Sequence, residues 1–244
     1  MDIQLPDMKY ASIKASPVFG CKVTSVDASL LKKIKGFYQV VTLDNAVAVI
    51  ADSFWLAKQA LNKVIIEFEK NDAQNIHQKG IFEQLRYDLN QAELNDDFNV
   101  DFKKGVIPDQ KVTSKDQFEA TYQVPFLAHA TMEPMNCTAW VHDGQVELWA
   151  GLQNPLGTRD FIANKFGYET DKVNIHNVYL GGGFGRRARP DYPQQGVQLA
   201  NALLGVPVKM IWSREEDVQQ DHYRQAVMSR FKAALDESGT PISW

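Results

Sequence analysis

The sequence has few cysteines and no apolar run long enough to cross a bilayer. Cys21 and Cys137 stand apart, with no Cys-x-x-Cys pair and no Cys/His cluster, so they indicate neither a zinc site nor an iron–sulfur site. The N-terminus lacks the basic and apolar regions of a signal peptide. With 26 basic and 30 acidic side chains, a net charge of −4 gives no broad electrostatic attraction to nucleic acid.

Both common phosphate-binding loops are missing too. The dinucleotide fingerprint needs a third glycine, but counting from Gly181 that position is occupied by Arg186. No Gly-Lys-Ser or Gly-Lys-Thr occurs, which excludes the P-loop motif. An ordinary nucleotide-binding domain, which would predict measurable affinity for ATP or NAD, is therefore disfavoured.

The pattern of apolar residues predicts an α+β (mixed α/β) fold. We expect a compact unit over residues 1–72, a linker with a possible helix over 73–115, and a second domain over 116–244. A hairpin is predicted around Asp44 and Asn45. In the second domain the order of helices and strands predicts helices over 155–166 and 190–204 and strands over 118–124, 139–142, 145–150, 173–180 and 206–212.

The most informative motif is the run Gly-Gly-Gly-Phe-Gly-Arg-Arg at residues 181–187, directly after a predicted strand. Four glycines in five positions allow close approach to a ligand, and successive N–H groups of such a loop can bind an anion. Arg186 and Arg187 add planar, permanently charged groups suited to phosphate. The structural alternative is a tight strand-to-helix connection with two solvated arginines.

Further segments accompany this loop: LAHATMEPMN at 127–136, LWAGLQNP at 148–155 and PVKMIWSREED at 207–217. In this order they resemble the molybdenum-binding subunit of the xanthine dehydrogenase/aldehyde oxidase family. The resemblance is strongest to the isoquinoline 1-oxidoreductase β-subunit branch, where the glycine loop also ends in two arginines. Residues 17–20 (PVFG) and 51–55 (ADSFW) resemble the family's small α/β hammerhead domain, so we expect that domain followed by part of a molybdopterin-binding domain.

The resemblance implies a site without a direct metal ligand from this chain. It gives Gln153 the catalytic position, from which the amide donates a hydrogen bond to an oxo ligand of the metal. Arg186 and Arg187 are assigned to cofactor phosphates from their charge. The predicted cofactor-binding residues are Gly182, Gly183, Phe184, Gly185, Arg186 and Arg187.

Structural alternatives stand beside these roles. Gln153 belongs to a segment in which Asn154 can cap a helix that starts at Pro155. His129 and Glu133 can form a hydrogen-bonded core pair instead of touching substrate, and we favour that reading. Residues 214–217 are predicted to be a solvated turn and helix start.

The resemblance also implies an activity for the full-length protein. The full-length protein is thereby expected to be a molybdopterin-dependent oxidoreductase that hydroxylates aldehydes or N-heteroaromatic compounds with oxygen from water. The implied cofactor is molybdopterin with molybdenum, in its cytosine dinucleotide form, and the implied partner is a small [2Fe-2S] subunit, with no nucleic acid and no membrane span. A periplasmic location is favoured over a cytoplasmic one, and any export signal would precede Met1.

One departure from the family pattern concerns catalysis. The family's glutamate base lies far toward the C-terminus of the complete subunit, beyond Trp244. We therefore expect a fragment that is inactive and free of cofactor on its own. Ala188 stands where xanthine-oxidising members carry a substrate-binding glutamate, which argues against purines. The alternative function is a non-catalytic α/β module that binds a phosphorylated small molecule through the glycine loop.

Overall fold

The computed structural model describes residues 2–95, 97, 99–102, 104–105 and 117–244. Its elements are defined in chain order. The strands are β1 (Lys9–Ala15), β2 (Val23–Asp27), β3 (Phe37–Thr42), β4 (Ala46–Ala51), β5 (Ile65–Phe68), β6 (Gln117–Val124), β7 (Asn136–His142), β8 (Gln145–Ala150), β9 (Val173–Asn177), β10 (Val208–Ile211), β11 (Val227–Leu235) and β12 (Pro241–Ser243). The α-helices are α1 (Phe54–Leu61), α2 (Gln78–Asn95), α3 (Pro155–Phe166), α4 (Asp191–Ala202) and α5 (Arg214–Gln219). Short 3₁₀ helices occupy Ser29–Lys33, Asp72–Asn75, Thr170–Lys172 and Arg186–Ala188.

The chain divides into two compact units, one formed by Met1–Gln74 with Ala128–His222 and the other by Asn75–Leu127 with Tyr223–Trp244. These units differ from the predicted divisions at residues 72 and 115. The reason is strand pairing, because strands from both predicted domains join one sheet. Assignment of residues 1–72 to a hammerhead domain stays a prediction.

The first unit is built on a seven-stranded sheet in the order β3-β4-β1-β10-β7-β8-β9, as found among the described residues. β1 pairs with β10 in parallel, with Lys9 opposite Val208, and β8 pairs with β9 in parallel. The other neighbours in this sheet are antiparallel. β2 and β5 form a separate antiparallel pair in this unit. The mixed sheet with helices confirms the predicted α+β class.

β4 shows how the sequence fixes the core of this unit. All six of its residues are buried, and all are apolar. Ala46, Ala48 and Ile50 belong to the larger core cluster, whereas Val47 and Val49 belong to a smaller cluster with Leu31 and Leu61. Because neighbouring side chains of a strand point to opposite faces, each face of β4 is covered by its own apolar layer.

Helix α3 begins and ends as its cap residues predict, whereas α4 ends at Ala202, before the predicted end at residue 204. Asn154 Oδ1 accepts a hydrogen bond of 3.1 Å from the Gly157 N–H, Pro155 follows it, and Gly167 ends α3 with φ of 74°. α4 lies close against β7, since a Cβ on Gly196 would come within 2.2 Å of Cys137 Sγ. Burial raises the pKa of the Cys137 thiol to about 12, and both cysteines are free and buried.

The second unit contains the antiparallel sheet β12-β11-β6 and helix α2. α2 lies against β11, where Glu93 forms ion pairs with Arg230 and Lys232. Arg230 Nη2 also donates a hydrogen bond of 2.7 Å to Asn90 Oδ1. Polar and charged side chains thus join α2 to β11.

Most of the predicted elements are present, with two differences near the glycine loop. The predicted strand over 173–180 ends at Asn177 as β9, and the three residues after it have no strand pairing. The segment 214–217 does start a helix, but the prediction that it is solvated is wrong. Glu216 and Asp217 are both buried and accept backbone hydrogen bonds.

Candidate functional site

The glycine loop connects β9 to the short helix Arg186–Ala188, which α4 follows. Its backbone adopts positive φ at Gly182 (99°), Phe184 (53°) and Gly185 (97°). Such values are easy for glycine but uncommon for an aromatic residue, and a strained non-glycine residue of this kind is often found at ligand sites. The Phe184 side chain is 73% exposed, so burial of its ring in the core does not explain this conformation.

Two of the glycines are required because side chains press against the loop. A Cβ on Gly181 would lie 2.5 Å from Glu133 Cβ, and a Cβ on Gly183 would lie 2.8 Å from Gln153 Cδ. Any larger residue at these positions would displace Glu133 or Gln153. The two segments that the sequence singled out at 127–136 and 148–155 therefore meet at the glycine loop.

The backbone N–H groups of the loop fall into two sets. Gly181 N–H donates a hydrogen bond of 3.0 Å to Glu133 Oε2, and Gly185 N–H donates one of 3.0 Å to Gln153 Oε1. For the three residues between them, no acceptor within hydrogen-bonding distance is found among the described residues. Adjacent open N–H groups of this kind form a concave site that suits an anion.

Gln153 is fixed to the loop at two points. Its Oε1 accepts hydrogen bonds from the backbone N–H groups of Gly185 (3.0 Å) and Arg187 (3.2 Å). Two backbone donors require an acceptor, so they determine which end of the amide is the oxygen. The Nε2 group is consequently turned away from these two donors and stays available to donate hydrogen bonds of its own.

Arg186 and Arg187 are buried, with only 1% and 0% of their surface exposed. Arg186 makes a two-point contact with Asp191, at 3.0 Å to Oδ1 and 2.7 Å to Oδ2, and its Nε lies 3.0 Å from Asp221 Oδ1. Burial alone would favour neutral Asp191, but hydrogen bonds from His222 and Arg186 hold the pKa of Asp191 below its usual value.

Arg187 ties the loop to the segment at 127–136. Its Nε donates to the Gly182 carbonyl at 2.8 Å, and its Nη2 donates to the Glu133 carbonyl at 2.7 Å and to Glu133 Oε2 at 3.0 Å. The pairing of Arg186 and Arg187 with cofactor phosphates stays a prediction. The alternative of two solvated arginines does not fit these positions, because both side chains are needed by internal carboxylate and carbonyl groups.

His129 and Glu133 do not form the expected core pair with each other. His129 Nδ1 lies 3.0 Å from Asp221 Oδ1, and Glu133 is bound to Arg187 and to the Gly181 N–H. The error was in the partners, because each residue uses a group far away in the sequence. Asp191 and Asp221 were missed altogether, because the burial of Arg186 that makes them its partners is not visible in the sequence.

Helix α5 carries two further buried acids, Glu216 and Asp217. Glu216 Oε1 accepts a hydrogen bond of 2.7 Å from the Ala15 N–H, and burial raises the pKa of Glu216 to about 7. Asp217 accepts from the Met135 N–H at 3.2 Å, forms an ion pair with Arg214, and has its pKa raised by burial. These contacts anchor α5 to β1 and to the start of β7.

Neither a metal cluster nor a membrane helix is found in the part of the chain that the structure describes. No group of three or more His, Cys, Asp or Glu side chains there is arranged to hold a metal ion. No described helix combines the length and the apolar character that a membrane crossing requires.

The family profile of the molybdopterin cofactor-binding domain matches residues 90–243. The isoquinoline 1-oxidoreductase subunit beta of Brevundimonas diminuta is 30% identical over 253 residues, covering 99% of this chain and 32% of that protein. The membrane-bound aldehyde dehydrogenase (pyrroloquinoline-quinone) of Gluconacetobacter polyoxogenes is 30% identical over 251 residues, covering 98% of this chain and 31% of that protein. The chain thus spans about a third of the length of these two relatives.

The fold agrees with this match. Quinoline 2-oxidoreductase from Pseudomonas putida 86 superimposes with a TM-score of 0.69 at 18% identity, covering 96% of this chain and 35% of that one. The predicted resemblance is confirmed, and the alternative of an unrelated phosphate-binding module gains no support. The chain belongs to the molybdopterin cofactor-binding domain family.

Proposed function

We propose that this chain is part of a molybdenum hydroxylase that oxidises aldehydes or N-heteroaromatic compounds and takes the oxygen from water. The observation that carries the proposal is the position of Gln153, whose carbonyl is held by the loop while its amide N–H₂ group stays open. A neutral donor beside a row of open backbone N–H groups suits an anionic cofactor with an oxo-bearing metal.

Each side chain has a defined part in this proposal. The N–H groups of Gly182, Gly183 and Phe184 bind the cofactor, and Gln153 orients it by donating from Nε2. Arg187 and Glu133 act at one remove, since they hold the loop in the conformation in which those N–H groups have no acceptor among the described residues. When bound, the cofactor supplies the redox centre and the Lewis acid that activates water.

The residues fit this cofactor on two structural grounds. The loop offers unpaired N–H groups where a large anionic ligand needs donors, and its glycines leave no side chain except that of Phe184 in the way. We propose the cytosine dinucleotide form of molybdopterin, in line with the resemblance to the isoquinoline 1-oxidoreductase branch.

The remaining parts of the proposal concern the whole protein. Electrons pass to a small [2Fe-2S] subunit, and the complex works in the periplasm. Both statements rest on the family resemblance of the sequence.

The test is to produce the full-length protein in a host that makes molybdenum cofactors, and to measure molybdenum and pterin per polypeptide. We expect both at close to one per chain, with oxidation of an aldehyde or quinoline-type substrate and oxygen-18 incorporation from labelled water. Protein without molybdenum or pterin, from a host that loads a control molybdenum enzyme, would overturn the proposal.

A further inference from the structure

His129 lies beside the glycine loop with one ring nitrogen engaged and the other open. Asp221 contacts it twice, at the backbone N–H and at Nδ1, with Nδ1 distances of 3.0 Å to Oδ1 and 3.1 Å to Oδ2. The opposite nitrogen, Nε2, lies 3.9 Å from the place that a Cβ on Gly185 would occupy. The ring therefore spans the distance between a buried carboxylate and the loop.

Asp221 is well suited to fix the state of this ring. Its side chain is almost fully buried, it accepts a hydrogen bond of 2.7 Å from the His222 N–H, and it lies 3.0 Å from Arg186 Nε. The Asp221 oxygens already accept from the backbone N–H groups of His129 and His222, so the carboxylate acts as an acceptor toward the ring as well. A neutral His129 must then carry its proton on Nδ1, which leaves a lone pair on Nε2.

The lone pair on His129 Nε2 accepts no hydrogen bond from the described residues. Within the described part of the chain Nε2 meets no hydrogen-bond donor, and the His129 side chain remains 19% exposed. Gln153 is bound to the N–H of the same Gly185 and has an open Nε2 donor. The loop at Gly185 is thus accompanied by one open donor and one open acceptor, from two different segments.

We propose that His129 is a binding residue for the ligand of the glycine loop, in which Nε2 accepts a hydrogen bond from an N–H group of the bound pterin. Asp221 is the positioning residue that holds the required tautomer. The inference rests on the proposed function, because it takes the ligand to be a pterin. A pterin ring carries N–H donors, which need an acceptor. His129 Nε2 is an acceptor, whereas Gln153 Nε2 is a donor.

The test variant is His129→Asn in the full-length protein. The asparagine amide can still donate to Asp221 in place of Nδ1–H, but it is too short to replace Nε2. His176→Asn is the matched control, because that ring is 45% exposed on β9 and stacks on Trp149. We expect His129→Asn to melt like the wild type and to release its pterin roughly fivefold faster, as loss of one hydrogen bond implies.

A second measurement needs no loaded enzyme. Nitrogen-15 NMR of histidine-labelled protein at mildly alkaline pH should show the His129 ring in the Nδ1–H tautomer, with assignment from His129→Asn or His129→Gln. An Nε2–H tautomer, or equal pterin release from wild type and His129→Asn, would overturn the inference alone. Wild-type protein without any pterin would instead overturn the proposed function, and the inference with it.

Discussion

The side-chain carbonyl of Gln153 accepts a hydrogen bond of 3.0 Å from the backbone N–H of Gly185. This contact joins the segment before α3 to the glycine loop, which lies more than thirty residues later in the sequence. It also determines the direction of the amide, since the oxygen is used by the loop. What the Gln153 side chain can offer a ligand is therefore a donor and not an acceptor.

Replacing Gln153 should separate its two roles. Gln153→Glu keeps an oxygen for the Gly185 and Arg187 N–H groups but removes the Nε2 donor, so the loop should hold while turnover falls roughly tenfold to hundredfold. Gln153→Ala removes both and should also lower cofactor content. The measurements are kcat per molybdenum and pterin per chain. Equal loss of cofactor in both variants, with unchanged kcat per molybdenum, would contradict the role of the donor.

Arg187 should be irreplaceable by lysine. A lysine retains the charge but cannot bind the Gly182 carbonyl, the Glu133 carbonyl and Glu133 Oε2 at once. Removal of one partner from a buried ion pair costs about 3–5 kcal/mol, and we expect Arg187→Lys to lose a large part of that. Urea unfolding gives the free energy, with Arg189→Lys at an exposed neighbouring position as the control. Similar stability of both variants would show that the buried contacts contribute little.

Glu216 should make stability fall as pH rises. Its pKa in the folded chain is about 7, against an ordinary value of 4.5, so the folded state binds more protons between these values. The stabilisation is fully present below about pH 4.5 and is lost as pH rises through about 7, a change of about 3 kcal/mol.

Glu216→Gln keeps an oxygen for the Ala15 N–H and has no titration. The difference in unfolding free energy between wild type and Glu216→Gln should therefore vary with pH across this window, whereas other titrating groups cancel in the comparison. A difference that is constant from acid to neutral pH would show that Glu216 titrates normally.

Gly196 should be intolerant of alanine because of one atom. The added Cβ would lie 2.2 Å from Cys137 Sγ, which forces α4 and β7 apart, and overpacking of this kind costs about 1–3 kcal/mol. Cys137→Ala removes that sulfur, so the double variant Gly196→Ala/Cys137→Ala should recover most of the loss. A double-mutant cycle by thermal melting measures this coupling, and additive effects of the two changes would argue against it.

Local patterns predicted most of the elements correctly. β3 and β4 followed from their apolar residues and the turn at Asp44 and Asn45, because a hairpin depends on neighbouring residues alone. The caps of α3 followed from Asn154 and Gly167 for the same reason. β11 was not predicted, since its partner β6 lies about a hundred residues away in the chain and its own exposed pattern is ambiguous.

The candidate site was predicted in its location but not in its electrostatics. The glycine run and Gln153 could be placed together from the family resemblance. The burial of Arg186 and Arg187 could not be predicted, since charge alone predicts exposure. Asp221, which lies beside Arg186, also belongs to another segment of the chain. Side-chain networks of this kind depend on tertiary contacts that no local pattern contains.

The pairing of Lys9 with Val208 joins two strands that lie far apart in the sequence, so the sheet forms only after both have been synthesised. On a ribosome, residues 9–15 of β1 emerge long before residues 208–211 of β10, so the β1 edge that pairs with β10 stays unpaired in the meantime. Closing so large a loop is slow, and the waiting edges of β1 and β7 are adhesive toward other nascent chains. The seven-stranded sheet can therefore be completed only when β10 takes its place between β1 and β7.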